Sequence, residues 1–278
     1  MSRTAQRLHV TQPTVSGMLS RLRVIFDDPL FVRTQHGLLP TPRAEALAPA
    51  LQQLIDDATA LVSPEIFDPQ TSAATVTIST NDYMQSALIV PLVAKLRQAA
   101  PNMRVGVRNL EVAALTGKLA RGDIDMAITI PEFTDTTLNT CFLYREEYVA
   151  VVRKEHSIRA RRPSLKQFLS YDHVLMSPTE GSFSGPADEA IEALGGTRRV
   201  AISVPNFSAL AEVLQEDDFI AFMPKRLLAR YAEKLRSISA PIQVPGFDVI
   251  VAWHPRADAE PVHMWVREML ANLSRVSI

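Results

Sequence analysis

The amino-acid sequence predicts a multi-domain α+β protein, with a winged helix-turn-helix first, a long helix next and a two-lobed α/β body last. Three observations predict this order. The first 43 residues contain two short helical patterns and a hairpin pattern, and residues 47–62 contain a sustained apolar stripe. From residue 74 onward, strand and helix patterns alternate, which is typical of α/β folds.

The composition excludes several classes of protein. Hydrophobic residues make up 47% of the chain and charged residues 21%, which excludes a disordered or fibrous protein. No stretch reaches the roughly 18 consecutive apolar residues of a membrane helix, and no apolar signal segment opens the chain. The single cysteine, Cys141, excludes a disulfide framework. We therefore expect a cytoplasmic protein with no membrane partner.

The charge distribution sets the first 43 residues apart from the rest. They carry six arginines and two aspartates, whereas the whole chain has a net charge of −1. A basic head on an acidic body favours a polyanionic partner, although an arginine-rich solvated face is the alternative.

Two short helices that meet at a tight turn are predicted for residues 4–26. Residues 4–8 have helical spacing, and after a break Thr11 is a good N-cap for a second helix with Pro13 in its first turn. The second helix begins with short polar side chains, and in helix-turn-helix proteins this part enters the major groove. Gln12 can bind adenine through two hydrogen bonds, and hydroxyl groups bond to most bases.

A β-wing is predicted after the two helices. Residues 29–33 and 38–40 have strand patterns, with a turn around residues 35–37 and with Arg33 near the base of the hairpin. Two helices and a hairpin suit many small domains, so this pattern alone leaves a DNA-binding and a purely structural interpretation open.

Three runs of sequence in the first 46 residues carry a family resemblance. They are AQRLHVTQPTVS at residues 5–16, DPLFVR at residues 28–33 and PTPRAEA at residues 40–46. In this order and spacing they resemble the DNA-binding head of LysR-type transcriptional regulators. Gly17, Pro40 and Ala44 depart from the usual residues of that head, and these departures resemble the nodulation-regulator branch.

The resemblance has two implications for the head. That family's head has one more amphipathic helix before the helix at Thr4, where it would cover Leu8, Val15 and Leu19, so we expect this first helix to be absent through a miscalled start or a truncation. The resemblance also implies double-stranded DNA as a partner. The predicted DNA contacts are Arg3, Thr4, Thr11, Gln12, Pro13, Thr14, Ser16, Arg21 and Arg33.

A long helix is predicted after the wing. Thr41 and Pro42 suit its N-cap and first turn, and Pro49 predicts a kink or break within it. Packing on its own domain is one interpretation, and dimerisation, which the resemblance implies, is the one we favour. A homodimer or homotetramer would match paired half-sites on DNA, and contact with RNA polymerase stays open. The apolar stripe of the helix consists of Leu47, Leu51, Leu54, Ile55, Ala58, Leu61 and Val62.

The body begins with a β-α-β-α-β pattern over residues 75–130, which predicts a parallel sheet with right-handed crossovers. Residues 144–153 form one long strand pattern that can run into a second lobe, and residues 249–253 return to the first lobe. The body resembles the effector domain of the same family, which is similar to type 2 periplasmic binding proteins. The predicted domains are the helix-turn-helix at 1–43, the linker helix and hinge at 44–73, lobe I at 74–147 plus 249–278, and lobe II at 148–248.

A small-molecule site is expected between the lobes, because ligands of parallel α/β sheets bind beyond the carboxyl ends of the strands. Free N–H groups at helix starts favour a carboxylate, although Asp82 opposes a strongly anionic ligand beside it. We expect a small effector, aromatic or a carboxylate, and no cofactor. Loop and cap chemistry is the alternative for each predicted effector contact: Ser79, Thr80, Asn81, Asp82, Tyr83, Ile130, Pro131, Ser177, Ser182, Asn206 and Phe207.

The sequence therefore predicts a sequence-specific DNA-binding transcription regulator that responds to a small molecule. The alternative is an effector-binding module without effective DNA binding, which acts as a sensor or a dominant-negative partner. An enzyme is a third class, but no catalytic residues, Walker motif or Gly-rich dinucleotide motif stand out. His254 and His263 lack the spacing of metal ligands, so no metal site is predicted.

Overall fold

The computed structural model describes residues 2–35, 37–62, 67–177 and 181–276 of the chain. Within these ranges, the side chains of residues 2, 3, 60–62 and 276 lie outside the description. The chain forms two compact units, Met1–Glu65 and Ile66–Ile278. The predicted winged helix-turn-helix and long helix lie in the first unit, and the predicted α/β body lies in the second.

The N-terminal unit has the predicted order of two helices, a hairpin and a long helix. Its elements are α1 (Ser2–Arg7), α2 (Gln12–Phe26), β1 (Phe31–Thr34), β2 (Gly37–Pro40) and α3 (Pro42–Val62). The helices α1 and α2 pack together and bury Ala5 and Val15, while β1 and β2 pair antiparallel. Leu8 is exposed and Leu19 is half-buried, whereas Val15 is buried.

The two helix starts predicted in this unit differ in their capping. Thr11 has the extended backbone of an N-cap, but its hydroxyl lies 2.8 Å from that of Thr14 and does not cap a backbone N–H group. Thr41 does cap α3, since its hydroxyl accepts a hydrogen bond from the Ala44 N–H at 3.1 Å. The start of α2 is therefore held by packing and by its proline rather than by a side-chain cap.

The helix α3 is continuous from Pro42 to Val62. Of the predicted kink or break at Pro49, the break does not occur. Pro49 cannot donate a hydrogen bond to the carbonyl of Glu45, but one lost bond does not end a helix whose neighbouring residues are mostly Ala, Leu and Gln.

The body alternates strands and helices, as predicted. In chain order it contains β3 (Thr75–Thr80), α4 (Asp82–Met84), a π-helical turn (Gln85–Ile89), α5 (Val90–Ala99), β4 (Arg104–Asn109), α6 (Leu115–Arg121), β5 (Met126–Thr129), β6 (Asn139–Glu146), β7 (Tyr148–Arg153), α7 (Leu165–Phe168), β8 (His173–Met176), α8 (Pro186–Glu192), β9 (Val200–Val204), α9 (Phe207–Glu216), β10 (Ala221–Pro224), α10 (Lys225–Leu228), β11 (Leu235–Ile238), β12 (Phe247–Trp253) and α11 (Pro261–Val276).

The first lobe is built on a five-stranded sheet in the order β4-β3-β5-β12-β6. The strand β3 pairs in parallel with β4 and β5, which confirms the predicted parallel core, and β12 pairs antiparallel with β5 and β6. Ile78, Met126 and Val251 are fully buried between this sheet and its helices. The carboxyl ends of β3 and β5 lie at the same edge of the sheet because the two strands run side by side in parallel.

The second lobe combines two small sheets. The strand β7 pairs antiparallel with β10 and β11, and β8 pairs in parallel with β9. His173, the first residue of β8, also forms a bridge to Ile220, just before β10. This bridge joins the two sheets, and α9 packs against both of them.

Two crossings join the lobes, and both were predicted. The long strand expected over residues 144–153 is interrupted at Glu147, because β6 pairs with β12 in the first lobe whereas β7 pairs with β10 and β11 in the second. The return crossing enters β12 through Gly246, where a Cβ atom would collide with the carbonyl oxygen of Glu146. The two crossings therefore touch backbone to backbone.

The remaining expectations concern membranes and metals. None of the helices in the described part of the chain has the length and apolar character of a membrane span. Within that same part, no three His, Cys, Asp or Glu side chains are grouped so that they could hold a metal ion. His254 accepts a hydrogen bond from the Arg256 N–H, and His263 lies 3.5 Å from Asp125, so both have local structural partners.

Candidate functional site

The polar start of α2 is exposed on the N-terminal unit. Val15 is buried, and this contact fixes the helix while its first turn faces outward. A helix that enters a nucleic-acid groove needs this arrangement. The side chain of Arg3 lies outside the described residues. The exposed members of the predicted DNA-contacting set are Thr4, Thr11, Gln12, Pro13, Thr14, Ser16, Arg21 and Arg33.

The hairpin after α2 is fixed by contacts that the sequence patterns did not reveal. Asp28 Oδ1 accepts hydrogen bonds from the Leu30 N–H at 2.6 Å and from the Thr41 hydroxyl at 2.7 Å. Arg23 Nε donates to the carbonyl of Pro29 at 2.7 Å. Leu30 has a φ of 61°, which is unfavourable for a side chain with a Cβ, and the bond to Asp28 holds it there. Asp28 and Arg23 thus position the wing relative to α2.

The long helix α3 exposes an apolar stripe. Leu51 is 44% exposed, Leu54 is 64% exposed and Ile55 is 55% exposed. The side chains of Leu61 and Val62, which belong to the predicted stripe, lie outside the described residues. Exposed leucines at this spacing are typical of a helix that pairs with a second helix.

In the body, two buried hydroxyl groups lie at the carboxyl ends of β3 and β5. Thr80 and Thr129 are fully buried, and their hydroxyls have no hydrogen-bond partner among the residues that the structure describes. Ser79, beside Thr80, donates its hydroxyl proton to the Asn109 carbonyl at 3.1 Å. A buried hydroxyl without a partner costs free energy, so an ordered water or a polar ligand group that bonds to these two hydroxyls would stabilise this strand edge.

The segment that follows β3 contacts the second lobe. Asn81 Oδ1 accepts a hydrogen bond from the Met84 N–H at 2.9 Å and so caps α4. Asp82 Oδ2 accepts hydrogen bonds from the N–H of Ser208, at 2.8 Å, and from its hydroxyl, at 2.9 Å. Asn206 caps α9 by accepting from the Ala209 N–H at 2.7 Å. Asn81 and Asn206, both predicted as effector contacts, therefore have capping roles in this structure.

Tyr83 lies in a buried polar cluster at the first crossing. Its hydroxyl donates to the carboxylate of Glu146 and lies 2.9 Å from the Tyr144 hydroxyl. Arg226 of α10 places its Nε 3.5 Å from Glu146 Oε2 and its guanidinium carbon 4.2 Å from the centre of the Tyr144 ring. Burial raises the pKa of Tyr144 to about 12, and burial together with Tyr144 raises the pKa of Tyr83 well above its usual value. Tyr83 is thus a neutral donor directed at Glu146, where the first crossing leaves the first lobe.

A small cavity of about 40 Å³ lies on the second-lobe side. Phe207 is the member of the predicted effector set that lines it, and the other lining residues are Tyr148, Val174, Leu175, Met176, Pro186, Ala187, Arg198, Phe222 and Val244. Arg198 forms two hydrogen bonds of 2.7 Å with the carboxylate of Asp188. The wall is thus apolar and aromatic with one buried guanidinium.

The other predicted effector contacts are dispersed. Ile130 is half-buried, and Pro131 begins an exposed single turn. Ser177 is buried, and its N–H donates to the Val204 carbonyl at 2.9 Å. Ser182 is exposed, and its hydroxyl donates to the Ser184 carbonyl at 3.0 Å. None of these four residues lines the cavity.

Comparisons with known protein families agree with both units. The family model described as "LysR substrate binding domain" matches residues 69–275. The model described as "Bacterial regulatory helix-turn-helix protein, lysR family" matches residues 1–45. The chain is a LysR-type transcriptional regulator.

This LysR-type regulator has relatives that match nearly its whole length. It is 32% identical to the HTH-type transcriptional activator NahR of Pseudomonas putida, over 98% of the chain and 92% of NahR. It is 29% identical to Nodulation protein D 2 of Rhizobium tropici, over 97% of the chain and 86% of that protein. The solved regulatory domain of MexT, a transcriptional activator in Pseudomonas aeruginosa, is similar with a TM-score of 0.63 and 25% identity, over 73% of the chain and 99% of that domain.

These relatives confirm the resemblance in both the head and the body. NahR is a transcriptional activator and the N-terminal family model describes regulatory proteins, so the predicted class of transcription regulator is confirmed. The sequence identity of this LysR-type regulator to the nodulation protein, 29%, is about the same as its identity to NahR, 32%.

The predicted set of effector contacts leaves out three residues of the candidate site, although the strand end at Thr129 was expected to face the ligand. Thr129 ends β5 with a buried hydroxyl, Tyr148 begins β7, and Arg198 pairs with Asp188 in the cavity wall. The position of Thr129 at the carboxyl end of a predicted parallel strand was a usable signal. The sequence gives no such signal at Tyr148 or Arg198, because the roles of these residues depend on pairing across the second lobe.

Proposed function

We propose that this LysR-type regulator reads DNA with the exposed start of α2 and responds to a small molecule that binds between the two lobes of its body. The exposed polar turn of α2, fixed from behind by buried Val15, is the observation that carries the DNA-reading part. Gln12 and Thr14 supply groups that bond to base edges, and Arg33 on the wing supplies a cation for the phosphate backbone.

The effector part of the proposal is supported by the strand edge and the cavity. Thr80 and Thr129 offer two buried hydroxyls, and Phe207, Tyr148 and Arg198 offer aromatic surface and a buried cation. These groups suit a small aromatic or carboxylate effector. A cavity of about 40 Å³ is far smaller than the several hundred Å³ of ordinary ligand pockets, and all of its lining residues belong to the second lobe. The cavity therefore serves as one wall of the proposed site, and the effector needs further space between the lobes.

We expect Gln12→Ala and Arg33→Ala to weaken DNA binding in different ways. Gln12→Ala should cost about 1–3 kcal/mol on the specific site and little on unrelated DNA, because it removes a base contact. Arg33→Ala should weaken all sequences alike and reduce the slope of log K against log salt by about 1, because it removes a phosphate contact. Titration of the gene's own upstream region and of a scrambled duplex across a range of salt concentrations measures both effects.

Equal losses on both duplexes for Gln12→Ala would contradict base reading by α2. If the folded wild-type chain bound neither duplex, an effector-binding module without effective DNA binding would be the better description. Arg104→Ala, at an exposed position on β4 of the body, serves as the charge-matched control.

We expect Thr129→Val to raise stability while it impairs the response to effector. Replacement of a buried, unpartnered hydroxyl by a methyl group should raise the free energy of unfolding by about 1 kcal/mol. The same change removes a polar partner for the effector. Urea unfolding gives the first quantity, and thermal shifts with a panel of small aromatic and aliphatic carboxylates give the second. A loss of stability with unchanged shifts would show that the hydroxyl serves the fold alone.

A further inference from the structure

Asp82 reaches from the first lobe to the second. It is the first residue of α4, directly after β3, and its carboxylate contacts Ser208 in the first turn of α9. One oxygen, Oδ2, accepts both the N–H and the hydroxyl of Ser208, at 2.8 and 2.9 Å. These two residues are 126 positions apart in the chain, so this contact is purely a product of the closed arrangement of the lobes.

The start of α9 offers donors that this acceptor satisfies. The first N–H groups of a helix have no partner within it, and side chains or water must satisfy them. Asn206 accepts the Ala209 N–H from within the same lobe, whereas the Ser208 N–H donates to Asp82 across the cleft. The helix is therefore capped by two acceptors, one local and one from the opposite lobe. The negative charge of Asp82 also faces the positive end of the helix dipole.

Other contacts between the lobes lie beside this one. Arg230 Nη2 donates to the Ser86 carbonyl at 2.8 Å, and the ring of Phe207 meets that of Tyr83 edge to face at 6.2 Å between centroids. The cavity that Phe207 lines has only about 40 Å³. Groups of the chain itself thus hold the lobes together beside the cavity.

We propose that Asp82 and Ser208 form a latch that keeps the lobes closed without effector, and that this latch opens when an effector enters. This inference rests on the proposed binding of an effector between the lobes and adds the element that sets its closed state. In this latch, a carboxylate of the first lobe caps a helix of the second lobe through charge-assisted hydrogen bonds. Opening the cleft breaks these hydrogen bonds. The binding free energy of the effector has to compensate for their loss.

The test is hydrogen exchange of the full chain, without effector or DNA, combined with a distance measurement between spin labels on the two lobes. Asp82→Ala should speed exchange of the Ser208 N–H by roughly tenfold and lengthen the distance, because a charge-assisted bond is lost. Acetate should partly restore protection in this variant, by supplying a carboxylate to the start of α9, and chloride at equal ionic strength should not.

Two further variants separate the latch from other roles of Asp82. Asp82 also lies in the first turn of its own helix α4, so its replacement can act through that helix as well. Ser208→Ala instead removes the hydroxyl partner of Asp82 and keeps the N–H group. It should therefore open the lobes less than Asp82→Ala does. The double variant should open them no further than Asp82→Ala alone. Asp135→Ala is the matched control, because among the described residues the Asp135 carboxylate bonds to Thr116 and Thr137 of its own lobe, and should change neither measurement.

Unchanged exchange and distance in Asp82→Ala would overturn the proposal. Opening that acetate does not reverse would overturn the assignment of the carboxylate as the closing group. Neither measurement uses effector or DNA, so failure of the latch leaves the proposed regulation intact. Conversely, a working latch in a protein that binds no member of the carboxylate panel would count against the proposed effector class alone.

Discussion

Arg226→Met is expected to lower the free energy of unfolding of the body by about 3 kcal/mol, because it leaves a buried carboxylate without its cation. Glu146 is 2% exposed, and Arg226 Nε lies 3.5 Å from it. The variant also removes the guanidinium from the face of the Tyr144 ring. Urea denaturation at neutral pH, followed by far-UV circular dichroism, measures the change.

The neighbouring lysine provides a matched control for this prediction. Lys225 forms an ion pair of 2.9 Å with Glu147, but the two side chains are 64% and 66% exposed. Lys225→Met should therefore cause only a small loss, since exposed pairs are screened by water. A double variant, Glu146→Gln with Arg226→Met, should recover part of the loss because no buried charge remains. Equal losses for Arg226→Met and Lys225→Met would refute the role assigned to the buried pair.

Acidification from pH 6.5 to 4 is expected to destabilise the body by up to about 3 kcal/mol through His173 alone. His173 is fully buried, and burial, helped by the positive charge of Arg198, lowers its pKa from the usual 6.5 of histidine to about 4. In this window the unfolded chain binds a proton that the folded chain does not. Stability is therefore fully present above pH 6.5 and falls as the pH approaches 4.

The variant His173→Gln should flatten this part of the pH profile. Glutamine retains a donor for the Phe168 carbonyl, which lies 3.3 Å from His173 Nε2, but does not titrate. Burial also lowers the pKa of His156, so a shallower slope of the same sign should remain. Asp218, with a pKa of about 2, loses most of its stabilising effect below pH 4 and adds only a small part to the change in this window. An unchanged slope in His173→Gln, measured by urea unfolding at several pH values, would disprove the assignment.

The fold followed from local periodicity in most places. The helical stripe of α2, the strand pattern of β3 and the alternation that follows are short-range signals, and the parallel pairing of β3, β4 and β5 follows from them. The break predicted at Pro49 does not occur, because the effect of one proline on a helix depends on the helix-forming residues around it. The interruption at Glu147 was invisible because it arises from pairing with strands about 75–100 residues further along the chain.

The site was predictable only where local chemistry determines it. The exposed polar turn of α2 was predictable, because the buried positions of an amphipathic helix fix which residues face outward. Tyr83 was expected at the mouth of the cleft, but its hydroxyl turns inward to Glu146, 63 residues away. The bond from Ser208 to Asp82 likewise depends on how two lobes meet. No window of sequence contains both partners of such a contact.

The close contact at Gly246 limits which mutations the protein can tolerate at this position. A Cβ atom at this position would collide with the carbonyl oxygen of Glu146, where the two crossings meet. Every missense mutation at this codon adds a Cβ, so each one forces the crossings apart and strains the junction that both lobes share. We therefore expect substitutions at codon 246 to destabilise the protein, whereas exposed positions of the crossings should tolerate them.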